Sequence, residues 1–115
     1  MSAEKRRYQR IRIRIPVRIT LSDGSTIPVT SSNLSAGGIA VLYGAPADRG
    51  TRFDVSFTIS ADGKPRHIPA TVEVVHHHLS GEGGQYTIGM QYVRISEKDR
   101  QIVDHYVRSV DRIRS

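Results

Sequence analysis

The stretch Ile11 to Thr20, IRIRIPVRIT, leaves its backbone little choice. Ile11, Ile13, Ile15, Val17 and Ile19 alternate with Arg12, Arg14, Pro16, Arg18 and Thr20. A helix would scatter the five β-branched residues among the arginines around its circumference. An extended strand gathers them on one face and sends the cations to the other. The chain therefore opens with a half-buried strand whose apolar side needs a core. Pro16 lacks the ladder donor, so the strand should lie at an edge or turn irregular there.

The same period recurs downstream. SDGS at Ser22 to Ser25 has hairpin-turn chemistry, and a second strand is expected over about 26–34. GIAVLY follows as a third strand after the interruption NLSAGG. TRFDVSFTI puts Phe53, Val55, Phe57 and Ile59 on one face, RHIPATVEVVHHHL reads as a long fifth strand, and QYTIGMQYVRI as a sixth. Six short strands with turns between them and no intervening helix predict an antiparallel barrel or sandwich. The ending changes period. Ile102, Val103, Tyr106, Val107, Val110 and Ile113 recur at helical spacing behind Ser96, an N-cap with Asp99 three residues on. An amphipathic helix is expected from Glu97 to Arg112. The organisation read from the chain is a flexible basic arm over 1–10, a β-domain over 11–95 and a helical end over 96–115.

Charge is distributed unevenly. Of 17 Lys and Arg, seven fall within the first twenty residues, against one of 11 acids, so that end carries the whole formal charge of +6. One positive end on an otherwise neutral domain points to an anionic partner. At 115 residues the chain can bury a core unaided, and with no cysteine it has neither disulfide nor thiolate chemistry. It lacks an apolar run of membrane-spanning length and the apolar stretch of a signal peptide at its start. A soluble, cytoplasmic protein without a membrane partner is expected.

Two stretches stand out for binding. EKRRYQR supplies Lys5, Arg6, Arg7 and Arg10 around Tyr8. Guanidinium forks suit phosphate oxygens and the O6/N7 edge of guanine, although basic arms are often only solvated. In NLSAGG, Asn33 and Ser35 share a face of an extended chain, and Gly37 and Gly38 permit a sharp bend or close approach. Asn, Ser and Gly are also ordinary turn residues.

Taken together, Arg6-Arg7-Tyr8-Gln9-Arg10 and Asn33-Leu34-Ser35-Ala36-Gly37-Gly38 resemble the RxxxR and [D/N]xSxxG motifs of the PilZ domain family. The resemblance covers nearly the whole chain, including IGMQYV and the closing helix. It implies a mostly-β fold, a six-stranded antiparallel barrel with a C-terminal α-helix. It also implies a non-enzymatic bacterial receptor for the second messenger cyclic di-GMP that switches a protein effector. Carried over by motif, Arg6 and Arg10 would grip phosphates and guanine edges. Asn33 and Ser35 would bond a guanine or its phosphate, and Gly38 would allow close approach. Arg7 would add phosphate contact. Lys5, just before the first arginine, points to an intercalated pair of ligands rather than one. No cofactor is implied. Asn33 in place of Asp leaves one acceptor oxygen where the acid has two.

Two other readings compete. A basic β-barrel could bind RNA or DNA, but aromatics are 6% of residues with no Trp, and such surfaces rely on stacking platforms. Nucleic acid is therefore disfavoured as partner. A degenerate scaffold that binds only protein sits poorly with both motifs intact. His76 to His78 invite a metal reading, but along a strand His76 and His78 share a face that His77 leaves, so three do not converge. They are read as polar residues at a strand end. No nucleophile–base pairing or paired carboxylates emerge from spacing, and no catalytic residue is assigned.

Overall fold

The computed structural model describes residues 8–81 and 83–114. The opening alternation forms not one strand but two: β1 (Arg10–Arg12) and β2 (Pro16–Thr20). Both pair antiparallel with β3 (Thr26–Ser35), which joins Ile11 to Leu34 and Val17 to Val29. The register slips by one residue between the two pieces, and the slip falls at Ile13–Ile15. There the buried Ser31 hydroxyl accepts from the Ile15 N–H at 3.0 Å and donates to the Ile13 carbonyl. A side chain thus substitutes for the missing ladder bond. Pro16 stands just beyond the break, at the first position of β2, where the expected irregularity falls.

The remaining strands are β4 (Gly38–Tyr43), β5 (Arg52–Ala61), β6 (Lys64–Leu79) and β7 (Tyr86–Arg94), followed by α1 (Glu97–Arg114). Pairing runs β3, β2, β5, β6, β7, β4, and β4 returns to β3. The β1–β2 segment counts as one stave, so the result is a closed six-stranded antiparallel barrel with one C-terminal helix. Closure leaves no long edge for foreign strands to pair with.

Alternation puts Ile11, Val17, Ile19, Leu34, Ile39, Val41, Val55, Phe57, Ile68, Val72, Ile88 and Met90 inside. Helix α1 begins where expected, with the Asp99 N–H bonded to the Ser96 hydroxyl at 3.0 Å, and runs two residues further than Arg112. Val103 and Val107 are fully buried, with Ile102, Tyr106 and Val110 packed beside them. The helix lies against β1, β3 and β5, so its apolar stripe covers the barrel. Ile113 departs from the expected stripe and is 83% exposed. Among the described residues, no helix is long and apolar enough to cross a membrane.

Candidate ligand-binding site

Strand register brings the two singled-out stretches together. Arg10 lies directly opposite Ser35, and Arg12 opposite Asn33. Arg10 was expected at the end of a flexible arm; it is instead the first residue of β1, held by pairing with β3. Lys5, Arg6 and Arg7 lie outside the described residues. Arg10, Asn33, Ser35 and Gly38 all line one cavity of about 410 Å³ on the outer face of the barrel. That size falls within the rough range of 300–1,000 Å³ usual for small-ligand sites.

The floor of the cavity is sheet with little on it. Ala40 of β4 pairs with Gly89 of β7, and Gly38 with Gln91. Neighbours Ile39, Val41, Ile88 and Met90 face the core, so the small residues occupy the outward positions. Tyr8 and Arg10 rise on one side, His76 and His78 on another, and Asn33 and Thr87 complete the lining. No carboxylate is among the described residues that line it, so nothing there repels an anion.

The bend between β3 and β4 is built by Ser35. Its buried hydroxyl accepts from the Gly37 N–H at 3.0 Å and the Gly38 N–H at 3.1 Å, and reaches the Gly38 carbonyl at 3.4 Å. The side chain expected to bond a guanine is thus already engaged in shaping the turn. Gly38 differs in a similar way. A Cβ there would collide with the Met90 carbonyl oxygen; the space it leaves is taken first by β7. Gly37 gives its room to Tyr8, whose Cδ2 would sit 3.1 Å from an added Cβ.

A residue of α1 joins this assembly. The Arg100 guanidinium donates to the Ala36 carbonyl at 2.7 Å and stands 5.4 Å from the centre of the Tyr8 ring. Helix, bend and the residue between the two candidate arginines are therefore one connected unit. The spacing of Arg100 gave no hint of this contact, because it looks like any helical surface cation.

The histidines are the other omission. β6 carries an irregularity between Val74 and His76. Val74 pairs with inward-facing Met90, but after the extra residue Val75, His76 pairs with outward-facing Gly89. The bulge turns His76 and His78 onto the cavity side. Their rings stack with centroids 5.9 Å apart and planes 21° apart. The His76 ring occupies the space where a Gly89 Cβ would be. Partial burial holds His76 below the ordinary imidazole range, aided by His78, Arg10, His77 and Arg49. His77 points elsewhere, edge-on to Tyr86. Among the described residues no group of three His, Asp or Glu is arranged to hold a metal.

A second groove of about 810 Å³ adjoins the cavity, sharing Asn33, His78 and Thr87 and adding Arg12, Arg14 and Arg114. Arg114, at the end of α1, donates to the Arg12 carbonyl.

Fold and site together define a class: a small closed β-barrel with an anion-ready pocket where its first strand meets a serine–glycine bend. The chain belongs to the PilZ domain family, whose profile matches residues 4–109. Solved structures agree on the fold. The Bacillus subtilis inhibitor of motility MotI/DgrA superposes with a TM-score of 0.86 at 22% identity, covering 95% of this chain and 52% of that one. The PilZ domain of Escherichia coli YcgR, solved with c-di-GMP, gives 0.67 at 19% identity, with 96% and 94% covered. The CeSA PilZ domain from a cellulose-synthesizing bacterium gives 0.57 at 23% identity, with 90% and 98% covered. The chain thus spans about half the length of MotI/DgrA. No curated protein sequence matches it.

Proposed function

We propose that this chain is a cyclic di-GMP receptor that acts by binding, without chemistry on the ligand, and passes its occupancy to a protein effector. The observation that carries this reading is the register of β1 on β3, which sets Arg10 opposite Ser35 at the wall of a pocket lined also by Asn33 and Gly38 and by no carboxylate among the described residues. The ligand offers two phosphates and two guanines. Arg10 and, from the preceding segment, Arg6 grip phosphate oxygens and guanine edges, with Lys5 and Arg7 adding phosphate contact. Asn33 bonds a guanine or a phosphate through its amide. Ser35 and Gly38 contribute chiefly by fixing the bend. Charge-assisted hydrogen bonds are worth about 1.5–3 kcal/mol each, so micromolar binding, roughly 8 kcal/mol, takes several such bonds from the arginines together with the other contacts, to offset ordering costs. The YcgR PilZ domain with c-di-GMP supports the choice of ligand.

The adjoining groove, with Arg12, Arg14 and Arg114, gives room for the second member of an intercalated pair. The cysteine-free chain suits the reducing bacterial cytoplasm. Coupling to the effector runs through Arg100, which ties α1 to the bend and to Tyr8.

The test is calorimetric titration with cyclic di-GMP, GMP and a mixed-sequence oligonucleotide at two salt concentrations. Selective binding of the cyclic dinucleotide, two per chain, is the expected result. One ligand per chain removes the pair but keeps the receptor. A steep salt slope with the oligonucleotide, and no preference for the cyclic dinucleotide, would replace this reading with a nucleic-acid-binding barrel.

A further inference from the structure

His76 and His78 stand outside the two motifs, yet they form a wall of the same cavity. Three independent features put them there. The bulge at Val75 reverses which face of β6 they occupy. Gly89, opposite His76, leaves the space its ring fills. The two rings stack and line the pocket with Arg10. Histidines that merely end a strand, though equally exposed, would need none of these.

We infer that His76 and His78 are ligand-binding residues, and that His76 takes up a proton as a dianionic cyclic dinucleotide enters. This rests on the receptor reading above. Among the described residues, every charged or titratable neighbour that acts on His76 opposes a positive charge there. Those neighbours are Arg10 on β1, Arg49 in the loop before β5, and His77 and His78 on its own strand. Opposite it, β7 offers Gly89 and Thr87, which do not titrate, and the floor residues Gly38 and Ala40 of β4 add nothing. Glu73, three residues back on β6, is paired with Arg52 at 3.0 Å. Partial burial and positive company thus both disfavour the charged imidazole. Two phosphates beside Arg10 reverse the sign of that company, and an imidazolium then becomes favoured. A proton gained on binding strengthens binding as pH falls, and linkage makes the effect reciprocal. No group of the ligand titrates between pH 6 and 8, so the dependence falls on the protein, in the window where histidine changes charge.

The experiment is titration of cyclic di-GMP into the full chain at pH 6, 7 and 8, each in two buffers of different ionisation enthalpy. Affinity should be roughly fivefold or more tighter at pH 6 than at pH 8, since one fully coupled proton gives about tenfold per pH unit. The heat should differ between buffers in the sense of proton uptake. His76→Gln should still bind at pH 8 but lose most of the pH slope, and the His76 imidazole NMR signal of the wild type should titrate at higher pH once ligand is bound. A His67→Gln control, on a strand position away from the cavity, should keep the slope. Equal affinity at pH 6 and 8, or a slope that survives in the His76→Gln/His78→Gln double variant, overturns the inference while the receptor stands. Absence of binding at every pH overturns the receptor reading itself.

Discussion

Glycine is chosen for different reasons at Gly38 and Gly89, and the atoms each would strike decide what a methyl costs. At Gly38 the obstacle is the Met90 carbonyl, part of the barrel backbone. It cannot move without breaking the β4–β7 ladder, so Gly38→Ala should destabilise the apo protein by about 1–3 kcal/mol, the usual range for overpacking. Denaturant melts without ligand would reveal it; an unchanged midpoint would mean that β7 yields. At Gly89 the obstacle is the His76 ring, the mobile end of a side chain. Gly89→Ala should leave the melt nearly unchanged and push the imidazole out over the pocket. Loss of ligand affinity without loss of stability is the expected signature. Arg10→Ala belongs with the second kind. Its side chain is exposed on β1, so calorimetry should register at least ~1.5 kcal/mol of lost binding with little shift in melting temperature. Wild-type affinity in that variant would remove Arg10 from the site.

At the scale of elements, the break between β1 and β2 holds Arg10 where it is. Ser31 bridges the Ile13 carbonyl and the Ile15 N–H, and its burial leaves little access for water. Ser31→Ala strands both groups and should cost about 1–3 kcal/mol, measured by urea unfolding, with faster amide exchange in β1 than elsewhere in the barrel. If exchange in β1 is untouched, the bridge is not what positions it. The sequence made the staves legible because period-two runs of Ile and Val report a buried face directly. The capped ending made α1 legible in the same way. What it withheld depends on partner strands. Pro16 marked an irregularity but not a register slip. The bulge at Val75 is defined by the pairing of β6 with β7, and strict alternation from the buried Val74 would have sent His76 inward. Within the site, the resemblance to the two family motifs implied that Arg10, Asn33 and Ser35 would meet, and the register brings them to one cavity. It did not foretell that the Ser35 hydroxyl would be spent on the bend, since that requires knowing where the Gly37 and Gly38 N–H groups point.

Over the whole molecule, the positive end and the helical end meet twice, at Arg100 beside Tyr8 and at Arg114 on the Arg12 carbonyl. Arg100 reaches from the first turns of α1 to the Ala36 carbonyl and to the face of Tyr8, while Tyr8 rests on Gly37. A ligand held by Arg10 meets Tyr8 in the same cavity, and Tyr8 sits under Arg100. Elsewhere the helix is attached by apolar packing of Val103 and Val107, by Arg114 on the Arg12 carbonyl and by His105 near Asp62 at 3.8 Å. Occupancy can therefore reach the first turns of α1 through Arg100, while Arg114 ties the far end to β1, and the effector would read the helix rather than the barrel. Hydrogen exchange tests this. Cyclic di-GMP should slow exchange in the first turns of α1 in the wild type. In Arg100→Ala, ligand should still bind and still protect the β3–β4 bend, but protection of the helix should vanish. The packed core stays intact in that variant, so its melting temperature should fall by only a few degrees, in line with roughly 1–2 kcal/mol for a lost charge-assisted bond and ring contact. Protection of α1 that persists without Arg100 would show that the barrel wall itself carries the signal, and would move the search for the effector's docking face from α1 to the strands.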